Sequence, residues 1–438
     1  MKIAVIGGGI SGLGAALALK DHHHVQLFER APRFGGHADT QEIDIKGKKI
    51  TVDTGFIVYN TANYPNLTAL FAALDVPTKW SDMSFGMSLS GGAMEYACDG
   101  LDKIFAQRRN ALSLPFLRLL SDIRRFNATA AQQLDCGKLA GLSLGAWLAR
   151  EGFSDWFRNR FLLPMGGAIW STPTARMMDF PAENFVSFFR NHDLMTGLDP
   201  AQRWRTVDGG SREYVVRIIA ALGPRAQAGR AVTRVDRRTG RPALTFADGA
   251  VEMFDQVIIA SHGPEAAALV DDQTDMERAI LGQFRTSANT AVLHSDPRLM
   301  PRRRKVWSSW NFLSEGADKD AQRPAPITYW MNRLQSIPND TPLFVSLNPG
   351  IAPDPALVHG TYNYNHPVFD DAAFRAQRDI DQIQGAGGIW YAGAWLGYGF
   401  HEDGLRAGLR VANCLGARPG WARDLGTPIE TGFAMAAE

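Results

Sequence analysis

The chain has 438 residues, 21% charged and 45% apolar, with a net charge of +1. That length asks for two or three domains, and the even charge balance gives no drive toward nucleic acid, so no nucleic-acid partner is expected. Three cysteines, Cys98, Cys136 and Cys414, make neither a disulfide framework nor a paired metal spacing, so a reducing compartment and no metal site are expected.

In chain order, residues 2–6 read as a buried strand. Gly7, Gly9 and Gly12 follow at G-x-G-x-x-G spacing, residues 13–20 continue as a helix, and residues 25–29 form a second strand that ends in Glu29. Strand, turn, helix, strand and acid together define a dinucleotide unit. Gly7 permits the tight turn, Gly9 lets a pyrophosphate approach the backbone, and Gly12 lets helix and sheet pack closely. The N–H groups near Ile10, Ser11 and Gly12 point at the phosphates. Glu29 suits two ribose hydroxyls, where an arginine would suit a 2′-phosphate. His22-His23-His24 falls between helix and strand and reads as a solvated loop rather than a metal tract. Residues 3–19 carry no charge and imitate a signal-peptide core, but their removal would destroy the unit. No signal peptide and no membrane span are expected, and the expected location is cytoplasmic.

Gly35 and Gly36 let the chain pass close to a ligand. Strands near 40–45 and 49–52 lead into Asp53-Thr54-Gly55-Phe56. A hairpin is expected over 84–89 and 94–97 with a turn at Ser90-Gly91-Gly92. From 101 to about 189 the pattern is helical and rich in arginine. Gly209-Gly210-Ser211 precedes a helix to 222, and strands follow at 232–236, 244–246 and 257–260. Segments from 291 to 347 alternate as strands of a second sheet. Tyr391-Ala392-Gly393 ends a last strand, and 404–415 reads as a helix of small residues. Nucleotide-binding elements thus occupy 1–84, 201–272 and 375–420, and the pieces 85–200 and 273–374 form a second unit interleaved with the first, with the ligand crevice between them. A chain that holds a dinucleotide with both its ends points to FAD rather than NAD.

Glu29-x-x-x-Arg33-x-Gly35-Gly36 resembles the E-x-x-x-R-x-G-G stretch of the flavin-containing amine oxidase, phytoene desaturase and protoporphyrinogen oxidase superfamily. Asp53-x-Gly55, Gly209-Gly210, Phe254-Asp255-Gln256-Val257-Ile258 and Tyr391-Ala392-Gly393 fall in that superfamily's order. Residues 397–405 resemble a bacterial subgroup of FAD-binding oxidoreductases associated with fatty acyl modification. The resemblance implies an α/β fold, a Rossmann-like FAD-binding domain (GR2-type) with an interleaved α+β substrate domain, and FAD as cofactor. It places Gly7, Gly9, Ser11 and Gly12 at the pyrophosphate, and Glu29 and Arg30 at the adenosine ribose. Gly35, Gly36 and His37 run along the ribityl and flavin side, with Gly55, Phe56 and Ile57 near the flavin ring. Val232 meets the adenine through its backbone, and Gly393 and Ala394 meet the phosphate and ribityl chain. The helix start around Asp403, Gly404 and Leu405 aims N–H groups at the flavin N1–C2=O edge, where negative charge accumulates on reduction. Three departures from the pattern stand out: His37 where Arg is frequent, Ala394 where an acid is common, and Asp403 where Gly is common. Asp403 near N1 would oppose reduction unless it caps the helix and faces away.

A single G-x-G-x-x-G unit argues against a reductase with two dinucleotide sites. The expected chemistry is dehydrogenation, with hydride taken from a hydrophobic substrate, a fatty acyl or phospholipid chain. Two alternatives stand beside it: a flavin amine oxidase, with Trp395, Tyr398 and Phe400 as an aromatic cage or as ordinary packing, and a non-catalytic flavoprotein partner of a lipid-modifying enzyme. His401 is the first candidate for proton acceptor, because imidazole titrates near neutrality; the same residue also reads as a structural hydrogen bond in the turn. Tyr398, Tyr59 and Glu402 follow. Arg108-Arg109 and Arg124-Arg125 flank an apolar run of Leu112, Leu114, Phe116, Leu117, Leu119 and Leu120, and residues 302–305 (Arg-Arg-Arg-Lys) precede Trp307, Trp310 and Phe312. Both stretches read either as solvated surface or as a peripheral contact with an anionic membrane, such as the inner face of the inner membrane.

Overall fold

Five parallel strands carry the nucleotide-binding half of the protein. In a computed structural model, which describes residues 1–192, 194–195, 204–315, 322–427 and 429, they run in the order Ala226–Ala228, His24–Glu29, Lys2–Ile6, Gln256–Ile259, Ile389–Tyr391. Their sequences are short continuous apolar runs because both faces of a parallel sheet are covered. Register joins Ile3 to Gln256 and to Val25, so the first strand is central. The helix after the glycine turn spans Ile10–Leu19, and each of its residues is buried. The charge-free segment 3–19 is therefore the middle of a domain, as its strand-and-helix pattern requires.

The closing helix, His401–Cys414, lies directly on this first helix. Its small residues make the approach. A Cβ on Gly408 would stand 2.2 Å from the Ser11 carbonyl oxygen, and one on Gly404 would stand 2.9 Å from Ser11 Oγ. Gly14 answers from the other side, where a Cβ would meet Leu405 at 2.4 Å. Both chain ends thus share one core with Leu13, Leu405 and Leu409. The helix begins three residues earlier than the sequence pattern places it. Asp403, in its first turn, reaches back to accept from the backbone N–H groups of Tyr398 and Phe400, each at 3.0 Å, which closes the turn at Phe400.

A seven-stranded mixed sheet forms the second layer, in the order Val358–Val368, Arg285–His294, Phe344–Leu347, Ile327–Trp330, Trp310–Leu313, Phe85–Leu89, Met94–Ala97. The last two strands are the expected hairpin, turned by Ser90, Gly91 and Gly92 at positive φ. Helices between 101 and 191 cap it, the longest at Leu114–Asp135, around an aromatic core with Trp147, Phe126, Phe157, Phe185 and Phe189. Residues 201–203, at the expected boundary, lie outside the described residues.

A buried carboxylate ties the layers together. Asp53, at the end of the hairpin strand Lys48–Asp53, accepts from Thr40 Oγ1 at 2.5 Å, Ser211 N at 2.9 Å and Gln335 Nε2 at 2.8 Å. Its partners come from three distant parts of the chain, so this network joins the hairpin strand to the helix after Ser211 and to Gln335 beside the seven-stranded sheet. Burial pushes its pKa up to about 6 against the pull of those donors.

Candidate active site

One cavity of about 1710 Å³ runs between the sheets. That exceeds the roughly 300–1,000 Å³ that single drug-sized ligands occupy, so it has room for a dinucleotide and a second molecule.

At its first end lies the glycine turn. Gly7 takes φ +108°, and a Cβ there would stand 2.6 Å from the Ala260 carbonyl oxygen. Gly12 sits against the Gly7 carbonyl and does not line the cavity; its role is packing. Gly9 is the opposite case, since a Cβ on it would meet nothing within 4 Å and would project into open cradle. Leu13 is the first residue to donate back into the helix, to Gly9 at 2.9 Å. The N–H groups of Ile10, Ser11 and Gly12 therefore lack intrahelical partners. Glu29 lines the same end. Its Oε2 accepts from Gly8 N and its Oε1 from Ala31 N, both at 2.7 Å, which holds the carboxylate in place with lone pairs to spare for ribose hydroxyls. Arg30 lines the rim and pairs with Glu265 at 2.7 Å, and Val232 lines the wall beside it.

Midway, Gly35, Gly36, Gly393 and Ala394 border the cavity. Gly36, at φ +57°, would bring a Cβ to 3.2 Å from Gly9 Cα. His37 stands in a cluster that sequence reading missed. Its ring centroid lies 5.2 Å from Tyr364, 5.5 Å from His366 and 5.7 Å from His262. Burial, then the neighbouring His366 and His262, hold His37 well below the usual imidazole range, and burial holds His366 near 4. His262 follows the C-terminal end of the strand Gln256–Ile259, where ligands gather in parallel sheets, so that position was a readable signal. His366 sits on a long strand of the other sheet, and nothing local marks it.

Farther along, Gly55, Phe56, Ile57 and His401 line the cavity. Gly55 is there for packing: a Cβ would stand 2.2 Å from the His37 carbonyl oxygen, which accepts from Phe56 N at 2.7 Å. The Phe56 and His401 rings stack at 3.8 Å and 15°. His401 Nε2 is engaged by the Tyr214 hydroxyl at 3.0 Å. Burial pushes this imidazole down to about 3, so the ring is neutral across the physiological range. The property that made His401 the first candidate for proton acceptor, titration near neutrality, is absent. It remains at the site as a stacked, hydrogen-bonded ring.

Other expected positions move off the site. Tyr59 is buried against Tyr64 and Phe71 and does not border the cavity. Glu402 is spent on the helix Pro65–Ala73, accepting from Asn66 N and Leu67 N at 3.0 and 2.9 Å. Asp403, Gly404 and Leu405 also lie outside the cavity lining. Asp403 caps the helix and pairs with Arg406 at 2.9 Å. Gly404 N already donates to Phe400 O at 3.1 Å, so the N–H groups without helical partners belong to His401, Glu402 and Asp403 rather than to Leu405. Tyr398 does border the cavity, with its hydroxyl bonded to Ser187 and Asn184 and its pKa raised by burial. Trp395 gives its indole N–H to Ser261 O at 2.9 Å and packs on Phe284. Trp395, Tyr398 and Phe400 all line the cavity, with Phe188 packed against Tyr398 at 5.8 Å and Phe400 at 5.1 Å.

An open glycine cradle, a helix start with free N–H groups, an anchored acid and a second helix brought in from the other chain end fit an adenine dinucleotide spanning the crevice. This arrangement defines a two-ended flavin-binding fold. Residues 10–333 match the family of flavin containing amine oxidoreductases, and the chain belongs to that family; it is a FAD-dependent oxidoreductase. It is 24% identical over 269 residues, 57% of its length, to carotenoid phi-ring synthase of Chlorobaculum tepidum. It is 39% identical over 84 residues, 19% of its length, to the FAD-dependent oxidoreductase dbaF of Emericella nidulans. The matches span only 40% and 17% of those relatives, and a 37-residue match to salicylate hydroxylase of Pseudomonas putida spans 8%. Among solved structures, putrescine oxidase bound to putrescine shares the fold at TM-score 0.67 with 18% identity, covering 95% of this chain and 100% of that one. A CLA-producing fatty acid isomerase from P. acnes does so at TM-score 0.65 with 14% identity, covering 94% and 97%.

Proposed function

We propose that this enzyme dehydrogenates a fatty acyl or phospholipid chain. One observation carries the reading. Beyond Phe56 and His401 the cavity continues into the helical layer between apolar walls that include Leu120, Ile123, Phe161, Met165, Ile169 and Phe188. A long hydrocarbon gains from burial along such a wall at roughly 0.8 kcal/mol per CH₂. A small cation would gain little there and would lose its hydration. The fatty acid isomerase named above accords with the same substrate class, although its likeness extends to the fold alone.

Bound FAD supplies the hydride acceptor. The chain supplies the rest. Gly9, the free N–H groups after it and Glu29 hold the nucleotide end. Phe56 and His401 form a flat, uncharged wall between the glycine-lined stretch and the helical layer, and the apolar helices orient the acyl chain and shield it from water. The proton lost with the hydride passes to solvent at the open end of the cavity, since His401 is neutral and weakly basic and Glu402 is engaged elsewhere.

The test is anaerobic mixing of flavin-loaded protein with fatty acids and phospholipids on one side, and with putrescine and cyclohexylamine on the other. Bleaching of the flavin by an acyl lipid is expected. Bleaching by amines alone would make the enzyme an amine oxidase, and bleaching by neither, with a stable protein partner recovered, would make it a carrier.

A further inference from the structure

The two basic and apolar stretches that lie far apart in sequence meet on one face. The Lys305 ammonium pairs with Asp102, and the Arg303 guanidinium with Glu95 at 2.9 Å. Glu95 also accepts from the backbone N–H groups of Arg302 and Arg303. The basic loop is thereby fastened beside the short helix Leu101–Ile104. Its aromatic neighbours turn inward: Trp307 and Phe312 are buried, so the loop contributes cations and no apolar anchor.

The anchors come from the other stretch. Leu112 is 89% exposed, Leu114 79%, Leu101 67% and Leu117 41%. The remaining exposed large hydrophobics among the described residues are scattered through the chain, as on ordinary surfaces. Arg108, Arg109 and Arg118 are exposed around these leucines, with Arg108 sharing Asp102 with Lys305 and Arg118 3.7 Å from Asp122, so the cations of this face outnumber its carboxylates. The cavity also reaches the surface here, because exposed Leu101, Arg124 and Ala128 line it together with Ile104, Leu120 and Ile123. Leu117 stands one helical turn before the cavity-lining Leu120 on the same helix.

We propose that this face docks on an anionic phospholipid bilayer. The leucines insert at the boundary between headgroups and acyl chains, the arginines and Lys305 meet the phosphates, and the cavity mouth opens into the leaflet. Charge complementarity selects the anionic surface, and the continuity of leucine rim and apolar cavity supplies a dry route inward. Docking stands on this surface alone; entry of an acyl chain through the mouth rests on the substrate reading above.

Sedimentation of the flavin-loaded protein with vesicles tests it. Binding is expected to vesicles of phosphatidylcholine mixed with phosphatidylglycerol, weaker binding to phosphatidylcholine alone, and release by salt. Leu112→Asp with Leu114→Asp should weaken binding by about tenfold or more, with flavin content and unfolding temperature unchanged. Val216→Asp, at an exposed site on the helix Arg212–Leu222, should bind as the parent does. Equal sedimentation of the double variant, or no binding by the parent to the mixed vesicles, overturns the proposal. So does a dimer that the double variant dissociates, which would assign the face to a second copy. Vesicle binding without flavin reduction by any acyl lipid keeps the docking and sinks the substrate reading.

Discussion

His401 shows how a single residue changes meaning once its surroundings are known. In sequence it is an imidazole beside a flavin-facing helix; in the fold it stacks on Phe56, meets Tyr214 and is held near 3 by burial. His401→Ala should keep the flavin but slow substrate-driven reduction by about tenfold or more, since it removes one face of the wall. Stopped-flow reduction across neutral pH distinguishes the roles. A rate inflection near 6.5 that vanishes in the variant would restore His401 as a base, and its absence is expected. Glu29 reads the same way at both levels, because its neighbours are the local turn. Glu29→Ala should release FAD during gel filtration, and full retention would remove the acid from the nucleotide site.

At the scale of elements, two helices from opposite chain ends touch because glycines let them. Gly408→Ala places a carbon against the Ser11 carbonyl oxygen, and neither backbone can swing aside as a side-chain tip could. Overpacking of this kind costs about 1–3 kcal/mol, and here it also pushes the nucleotide-binding helix away from its partner. Lower unfolding temperature and weaker flavin retention are both expected, whereas Gly420→Ala, with open space around it, should be neutral. If the Gly408 variant matched the parent in both measurements, the close packing would not be a requirement. Much of this level was readable from sequence. Lys2–Ile6 coincides with its expected strand, and the hairpin at Phe85–Leu89 and Met94–Ala97 lies where its turn residues put it. The start of the closing helix was missed by three residues. Small-residue patterning suggested Gly404, while the cap made by Asp403 at Phe400 decided.

At the scale of the whole molecule, burial of neutral histidines sets an acid limit. His192, His294 and His366 are held near 4 and His401 near 3, against an ordinary value of 6.5. Below about pH 6.5 the unfolded chain binds protons that the folded chain refuses, so stability falls as pH drops toward about 4, by up to ~1.4 kcal/mol per pH unit for each proton. Asp53, raised to about 6, acts in the opposite sense: between 3.8 and 6 the folded chain holds a proton that the unfolded chain has lost. Burial raises Glu402 and Asp403 as well, but it also lowers His37, His262 and His359, so seven histidines outweigh three carboxylates and denaturant unfolding should show lower stability near pH 5 than near pH 7. A flat or rising profile toward acid would contradict the burial of these rings. By itself the sequence determined the dinucleotide unit, the hairpins and the helical insert, since each is written in periods and turn residues a few positions apart. Only the tertiary structure decided that His37, His262 and His366 share one cluster, that Tyr59 and Glu402 serve packing and capping, and that two distant basic stretches meet at Asp102. Those outcomes depend on contacts between residues far apart along the chain, and no local pattern records which side chain a distant strand or loop will bring to meet another.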